Sequence, residues 1–184
     1  MEIELSAEAK DRRLNRRVAI TVVILSVFMA VCNIKDGNIV QAMQQAQSDA
    51  VDRWGEYQAT RTKQHIVETA RFELAATAKP GTATSALADF TRQIAKYKAE
   101  SPKLAEQAKA LNDRYDALNI HDDQFDASEA LISTAISLSA VAALTEASLP
   151  LVIAWIFGAM GIAMGSFGFT AVTFDPALLS GFLG

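Results

Sequence analysis

The sequence has very little cysteine and, beyond Arg114, no basic residue at all. Its single cysteine, Cys32, cannot form an intrachain disulfide. All 17 lysines and arginines lie at or before Arg114, and the net charge is −4. Because phosphate binding needs clustered cations, this balance gives no reason to expect nucleic acid as a partner. The uneven distribution of charge instead indicates a chain that passes between two environments.

Charge of either sign is nearly absent from the C-terminal part of the chain. From residue 130 onward, Glu146 and Asp175 are the only charged side chains. Two apolar runs lie there, at residues 130–145 and 149–174, and a third run without charge covers residues 18–34. Runs of this length and composition are typical of transmembrane helices. The sequence therefore predicts three membrane spans.

A basic leader precedes the first apolar run. The segment "KDRRLNRR" carries five cations, and the positive-inside rule places such a segment in the cytoplasm. Residues 35–129 then lie on the other side, in the periplasm of a double-membrane bacterium. We therefore expect a multi-pass protein of the bacterial inner membrane, with the lipid bilayer as its first partner.

The region between the first two spans is predicted to be an antiparallel helical hairpin. It is rich in Ala, Gln, Glu and Lys, and its one clear break is "KPGT" at residues 79–82. Proline and glycine end a helix and reverse the chain, so two arms of similar length are expected at residues 39–78 and 83–128. Ser101 and Pro102 predict a second helix start or a kink in the returning arm.

Apolar residues in the returning arm recur at alternating spacings of four and three. This is the heptad pattern of a coiled coil, and one polar residue, Asp122, interrupts it near the membrane end. On the outgoing arm, Trp54 and Tyr57 end a similar stripe, which is lost at "RTKQ". Two helices that share one narrow seam bury little surface. We therefore expect a homo-oligomer or a subunit of a larger membrane complex.

Small residues mark the two C-terminal spans. Gly161 and Gly165 form a GxxxG pair, which lets helices approach closely in lipid. Ser148 is predicted to cap the third span and Pro150 to occupy its first turn. The tail, residues 175–184, has an apolar face that suits a short interfacial helix. The candidate packing and partner residues of the whole chain are Trp54, Tyr57, Gln58, Leu104, Leu111, Leu118, Phe125, Gly161 and Gly165.

Two stretches combine aromatic and polar residues in a distinctive pattern. The first carries Trp54, Tyr57, Gln58, Ala59 and Lys63, and the second carries Phe125, Asp126, Glu129 and Ala130. Together they resemble a bacterial family of small membrane proteins known as domain of unknown function 4337. With the glycine-rich third span, the resemblance covers most of the chain. It implies three spans and an exterior coiled region, and no activity. The chain departs from the family pattern at "LTEASLP", where basic residues are expected, and in its additional tail.

Catalytic and metal-binding patterns find little support in the sequence. Cys32 has no histidine nearby, and no glycine-rich loop follows a strand, so we predict a protein that is not an enzyme and has no cofactor. His121, Asp122, Asp126 and Glu129 are an alternative set of metal ligands. No second histidine or cysteine lies at ligand spacing, so a solvated helix entry is favoured and no metal site is predicted.

These patterns together predict an all-α integral membrane protein with three transmembrane helices and an extramembrane, coiled-coil-like hairpin. Its predicted function is that of an inner-membrane scaffold or accessory subunit. The alternative is an oligomeric channel or transporter subunit, for which the spans offer only serine and threonine hydroxyls. The predicted segments are a basic leader at 1–17, spans at 18–34, 130–145 and 149–174, the hairpin at 35–129 and the tail at 175–184.

Overall fold

The computed structural model describes residues 2–79 and 82–170, with side chains from residue 12 onward. Three helices contain nearly all of these residues: α1 is Glu2–Thr77, α2 is Thr84–Leu144 and α3 is Ser148–Phe169. The described part of the chain contains no strand, so the prediction of an all-α fold is confirmed. The predicted interfacial tail lies outside the described residues.

Helix α1 is a single helix of 76 residues. It continues without interruption through the basic leader, the first apolar run and the outgoing arm. The segment contains no proline, and its two glycines, Gly37 and Gly55, lie singly among good helix formers. The sequence boundaries near residues 17 and 34 therefore mark changes of side-chain polarity and not of backbone conformation.

Helix α2 continues through Pro102 for a total of 61 residues. Of the two alternatives predicted at Ser101 and Pro102, the second helix start is therefore wrong, and the kink stays a prediction. Pro102 has no N–H to donate to the carbonyl one turn before it, which weakens the helix at this point. Ser101, which precedes the proline, and Leu104, two residues after it, are buried, and this packing offsets the local defect. The Ser101 hydroxyl also donates to the carbonyl oxygen of Tyr97 at 2.8 Å.

The turn between α2 and α3 is short and tight. Glu146 has a φ of 51°, in the left-handed region that non-glycine residues rarely adopt. Ala147 is extended and takes the N-cap position without a side-chain hydrogen bond. The prediction that Ser148 caps α3 is therefore wrong, because the chain reverses one residue earlier and Ser148 is already helical. Helix α3 ends at Phe169, and the predicted end of the third span at residue 174 lies outside the described residues.

All three helices are long and apolar enough to cross a membrane. Within the first apolar run, Ile20, Val23 and Ile24 are each more than half exposed. Apolar side chains in such numbers on the outside of a helix are expected where lipid covers them. These features are compatible with a membrane protein.

The chain divides into two compact units. The three-helix unit comprises Met1–Gln41 and Ala117–Gly184, and the two-helix unit comprises Ala42–Asp116. The three-helix unit therefore contains the predicted membrane spans. The two-helix unit contains most of the predicted hairpin.

Small and apolar side chains from both helical segments are buried in the two-helix unit. Glu68 and Lys98 link the two segments through an ion pair at 3.4 Å. Beyond the apolar residues of α1, burial continues at Thr60 and Gln64, which are 7% and 3% exposed. The apolar pattern of α1 stops at "RTKQ" in the sequence. The buried face of the helix nevertheless continues there, through polar residues. The buried apolar residues of this unit include Met43, Ala46, Ala50, Ile94, Leu104 and Ala108.

Candidate functional site

Helix α3 packs in the three-helix unit through its glycines. A Cβ atom on Gly161 would lie 2.6 Å from Cγ1 of Ile132. A Cβ atom on Gly165 would lie 2.8 Å from Oγ of Ser128 and 2.9 Å from Sγ of Cys32. Real Cβ atoms do not approach other heavy atoms this closely, so a side chain at either position would force its neighbours to move. The two glycines allow α3 to approach both α1 and α2 closely.

Hydrogen bonds from small polar side chains add to this packing. Ser128 is fully buried and donates from its hydroxyl to the carbonyl oxygen of Gly161 at 2.8 Å. Trp155 donates from Nε1 to the hydroxyl of Thr21 at 2.9 Å. In lipid, where helices gain little from the exclusion of water, such bonds and close contacts are the main forces between helices.

Phe125 closes one end of the glycine-packed region. Its side chain is 2% exposed, and its ring lies edge to face with that of Phe169, with ring centroids 5.1 Å apart. A Cβ atom on Gly168 would lie 2.7 Å from the Phe125 ring. An aromatic ring therefore occupies the space that the last glycine of α3 leaves open.

Two carboxyl groups meet between α1 and α2 beside this packed region. Asp36 follows Cys32 by one helical turn, and its carboxyl group faces that of Asp122 on α2. Two ionised carboxylates that face each other repel, which favours the presence of a proton on one of them. Burial and the contact with Asp36 raise the pKa of Asp122 to about 6, and the negative charge of Asp126 adds to this shift.

The pKa of Asp36 is also raised. Burial is the main cause, and the charges of Asp126 and Glu129 act in the same direction, while the contact with Asp122 opposes them. Oδ1 of Asp36 is buried and has no hydrogen-bond partner. A buried carboxylate oxygen without a partner is costly, which disfavours the charged form. The pair can therefore hold a proton at a pH where most aspartates have lost theirs.

The acidic residues at this place do not converge on a metal ion. Among the described residues, no group of three or more His, Cys, Asp or Glu side chains is arranged to hold one. His121 instead lies with Nδ1 3.3 Å from Oε1 of the buried Gln124. The alternative in which His121, Asp122, Asp126 and Glu129 bind a metal has no geometric support here.

The structure divides the predicted contact residues between the two units. Phe125, Gly161 and Gly165 lie together in the three-helix unit, where Leu118 is half-buried. In the two-helix unit, Trp54 and Tyr57 contact each other edge to face, with ring centroids 5.5 Å apart. Trp54 is 38% exposed. Of the remaining predicted residues in that unit, Leu104 is buried, Leu111 is half-buried and Gln58 is exposed.

Sequence reasoning missed Asp36 as a partner of Asp122. Asp36 follows the first apolar run and looks like an ordinary solvated residue at the end of a span. The available signal was the polar interruption at Asp122, since a polar residue in a helical seam usually has a partner on the facing helix. In an antiparallel hairpin, that partner lies near the start of the outgoing arm, where Asp36 is the first acid.

The helices, their apolar outer faces and the glycine contacts define an all-α protein whose three helices are each able to cross a membrane. The chain belongs to the family described as Domain of unknown function (DUF4337), whose sequence profile matches residues 14–171. This match confirms the resemblance found in the sequence. Searches of curated proteins and of solved structures found no significant match.

Proposed function

We propose that this protein is a non-enzymatic scaffold or accessory subunit of the bacterial inner membrane. The observation that carries the proposal is a line of exposed side chains on the part of α1 that belongs to the two-helix unit. Val51 and Phe72 in this line are 65% and 75% exposed. In a region expected to lie in water, large apolar side chains exposed to this extent on one face of a helix favour a contact surface.

The exposed line has the period of a helix–helix interface. Val51, Gln58, His65 and Phe72 recur at intervals of seven residues, and we call these four residues the outer line of α1. A heptad interval keeps side chains on one face of a helix that packs against another helix. The outer line is distinct from the buried face of α1, so it remains available when the two-helix unit is closed.

The expected occupant of the outer line is another helix. The line is narrow and has polar residues at its centre, Gln58 and His65, between apolar residues at its ends. Such a pattern suits a helix of a second copy of this chain or of another subunit, where the apolar ends supply contact area and the polar centre selects the register. The exposed edge of Trp54 lies beside the same face and adds to the apolar surface.

The proposed location follows from the basic leader and the apolar runs. Five cations directly before the first run favour a cytoplasmic N-terminus, and a single crossing then puts residues 35–129 in the periplasm. The close, glycine-mediated contacts of α3 also suit an environment in which packing drives helix association. In this arrangement, the three-helix unit anchors the protein, and the two-helix unit presents the outer line to its partner.

The mass of the native complex tests the proposal. We would extract the protein with its lipids in polymer-bounded discs and compare the wild type with the Val51→Ser, Phe72→Ser double variant. The wild type should have a mass well above that of one 19.8 kDa chain, and the double variant should lose the excess. A wild type that is monomeric, with no copurifying protein, would contradict the proposal.

Ile66→Ser is the matched control for this experiment. Ile66 is also exposed, at 62%, and lies on the same helix. It precedes Phe72 by six residues, which places it about a third of a turn away from the outer line. Its replacement should leave the mass of the complex unchanged. An equal loss with this variant would show that general surface hydrophobicity, and not the outer line, holds the complex together.

A specific observation also supports the alternative of an oligomeric channel or transporter subunit. The hydroxyl residues Ser133, Thr134 and Ser137 of α2 are exposed, although they belong to a predicted span. Thr134 and Ser137 donate to carbonyl oxygens of their own helix, those of Ala130 and Ser133. Several copies with this face turned inward would line a polar pore. Selective ion or solute flux through liposomes that contain the purified protein would favour this function over a scaffold.

A further inference from the structure

An open groove runs between α1 and α3 in the three-helix unit. Because glycine and alanine have short side chains, α3 leaves a depression here that larger residues would fill. The volume of the groove, about 260 Å³, is below the roughly 300–1,000 Å³ of pockets that enclose a whole small molecule. An occupant is therefore expected to lie along the groove and to extend beyond it. The small and aliphatic residues of the lining are Ile24, Leu25, Gly158, Ala159 and Ile162.

The polar side chains of the groove are already paired with each other. Thr21 and Trp155 complete its lining, and Nε1 of Trp155 donates to the hydroxyl of Thr21 at 2.9 Å. A ligand with hydrogen-bonding groups would leave those groups poorly satisfied here, which is costly. Trp155 and Ile24 are 44% and 56% exposed, so the groove opens to the outside of the unit. Its expected occupant is therefore an apolar chain that enters from the side.

Two arginines extend the α1 side of the groove towards the N-terminus. Arg13 and Arg17 precede Thr21 by eight and four residues, and both are exposed. Intervals of four keep side chains on one face of a helix, so the arginines lie on the side of α1 that lines the groove. Arg17 is only one turn from Thr21, which is about 6 Å along the helix axis. Positive charge therefore lies directly beyond one end of an apolar groove.

An anionic phospholipid has the matching combination of charge and apolar surface. Its phosphate stands at one end of its acyl chains, and a guanidinium group pairs well with phosphate oxygens. An acyl chain in the groove would bury apolar surface on both helices. A helix of another chain would also suit the apolar part of the groove, but its backbone brings no negative charge to the arginines. Charge complementarity therefore favours the lipid.

We propose that the groove between α1 and α3 binds one acyl chain of an anionic phospholipid, and that Arg17 and Arg13 hold the phosphate of its headgroup. The bound lipid packs on both helices and links them near the start of the predicted spans. Lipid binding rests on the membrane location in the proposed function, since the groove must face lipid. It requires no partner at the outer line of α1.

Quenching of Trp155 fluorescence by brominated lipids tests this binding. The chain has two tryptophans, so Trp54→Phe leaves Trp155 as the only one. The full-length protein would be reconstituted in vesicles of phosphatidylcholine and phosphatidylglycerol, with bromine in the acyl chains of either the one lipid or the other. The two quenching curves give the preference of the groove for the anionic lipid. We expect a preference of roughly fivefold, the scale of one cation beside an anionic headgroup.

Two arginine variants separate the proposed headgroup contact from a general attraction to the basic leader. Arg17→Gln should reduce the preference towards one. Arg16→Gln is the matched control, because Arg16 is also exposed but points about 140° away from Thr21 around the helix. It removes the same charge and should keep the preference. Equal losses in the two variants would overturn the proposal.

A second pair of variants tests the groove while every cation stays in place. Ala159 is an exposed residue of the lining, so Ala159→Leu fills the groove without disturbing the buried packing. It should abolish the preference for phosphatidylglycerol. Ala163→Leu adds the same side chain to an exposed position one turn further along α3 and should keep the preference. An unchanged preference in Ala159→Leu would refute the groove as the binding site.

A tryptophan away from the groove distinguishes failure of the lipid site from failure of the membrane location. Val27→Trp, combined with Trp54→Phe and Trp155→Phe, reports from a position that is 60% exposed and about 120° from Thr21 around α1. Both brominated lipids should quench it, without preference. If neither this tryptophan nor Trp155 is quenched, the membrane location fails together with the lipid site. If only Trp155 resists quenching, protein covers the groove, and the lipid site alone is refuted.

Discussion

A single added methyl group tests how closely α3 approaches α2. In Gly161→Ala, the new Cβ atom would lie 2.6 Å from Cγ1 of Ile132 and 3.2 Å from its backbone nitrogen. Ile132 is fully buried, so its side chain has little room to turn away. We expect a loss of about 1–3 kcal/mol of stability from overpacking, seen as a lower thermal unfolding midpoint in lipid discs.

Gly55→Ala provides the control for the same change of residue type. Gly55 lies far from both ends of α1. No heavy atom lies within 4 Å of a Cβ atom placed on it. Alanine there should stabilise the helix by about 0.5–1 kcal/mol. The two variants are thus expected to change the unfolding midpoint in opposite directions. Destabilisation by both would mean that crowding at α3 is not the reason for the loss at Gly161.

Pro102 weakens helix α2 locally, and the packing around it compensates. Pro102 lies in the interior of the helix, where proline removes a hydrogen bond at a cost of about 3 kcal/mol. Pro102→Ala should therefore raise the stability of the two-helix unit by roughly 1–3 kcal/mol, measured by chemical denaturation followed by circular dichroism. Pro150→Ala, in the first turn of α3, should bring no comparable gain, because that position has no N–H bond to restore.

The buried contact between the two helical segments of the two-helix unit contains a polar residue, Gln64. Its replacement by an apolar residue should raise the stability of the unit. Gln64 is 3% exposed, and it donates to Glu68 at 2.9 Å and accepts from Arg61 at 3.2 Å, both on its own helix. In Gln64→Leu, buried apolar area replaces an amide whose bonds do not cross to α2, and a gain of about 1 kcal/mol is expected.

Gln44→Leu is the control for the seam position. Gln44 is exposed on the same helix, so its replacement should change stability by less than about 0.5 kcal/mol. Equal stabilisation by both variants would show that leucine acts through helix propensity. A loss of stability in Gln64→Leu would show that the amide has an essential partner across the seam.

The arrangement of the whole chain in the membrane can be tested at the connection between α1 and α2. Lys79 is exposed there, and the proposed topology puts it in the periplasm. Limited digestion with proteinase K, added to intact spheroplasts, should cut in the connection beside Lys79 and leave the arginine-rich leader intact. Cleavage in the leader with Lys79 protected would mean that the orientation is the reverse of the one proposed.

The same cut tests whether the helices hold each other without a covalent connection. The two resulting fragments should copurify in mild detergent, because α1 contacts the second fragment in both units. The ion pair between Glu68 and Lys98 is one such contact, and the hydrogen bond between Trp155 and Thr21 is another. Prompt separation of the fragments would contradict the packing of α1 described here.

The number and the kind of the helices were predictable from local patterns. Apolar runs and the break at "KPGT" predicted three helices of membrane-spanning length and a connection near residues 79–82, and the family match over residues 14–171 covers both stretches that carry the resemblance. Local rules failed at Pro102 and Ser148. At Pro102, neighbouring packing outweighed a weak helix position, and at Ser148 a strained turn moved the helix start by one residue.

The amino-acid sequence by itself determined which segments are helical and which of them suit lipid, because both properties depend on the composition of a few consecutive turns. Only the tertiary structure decided which side chains meet: Asp36 with Asp122, Gly161 with Ile132, and Gln64 on the buried side of its helix. The physical reason is that contacts between residues far apart in the chain depend on the register and rotation of whole helices. A displacement of one residue along a helix turns each side chain by about 100°, and no local pattern measures that displacement.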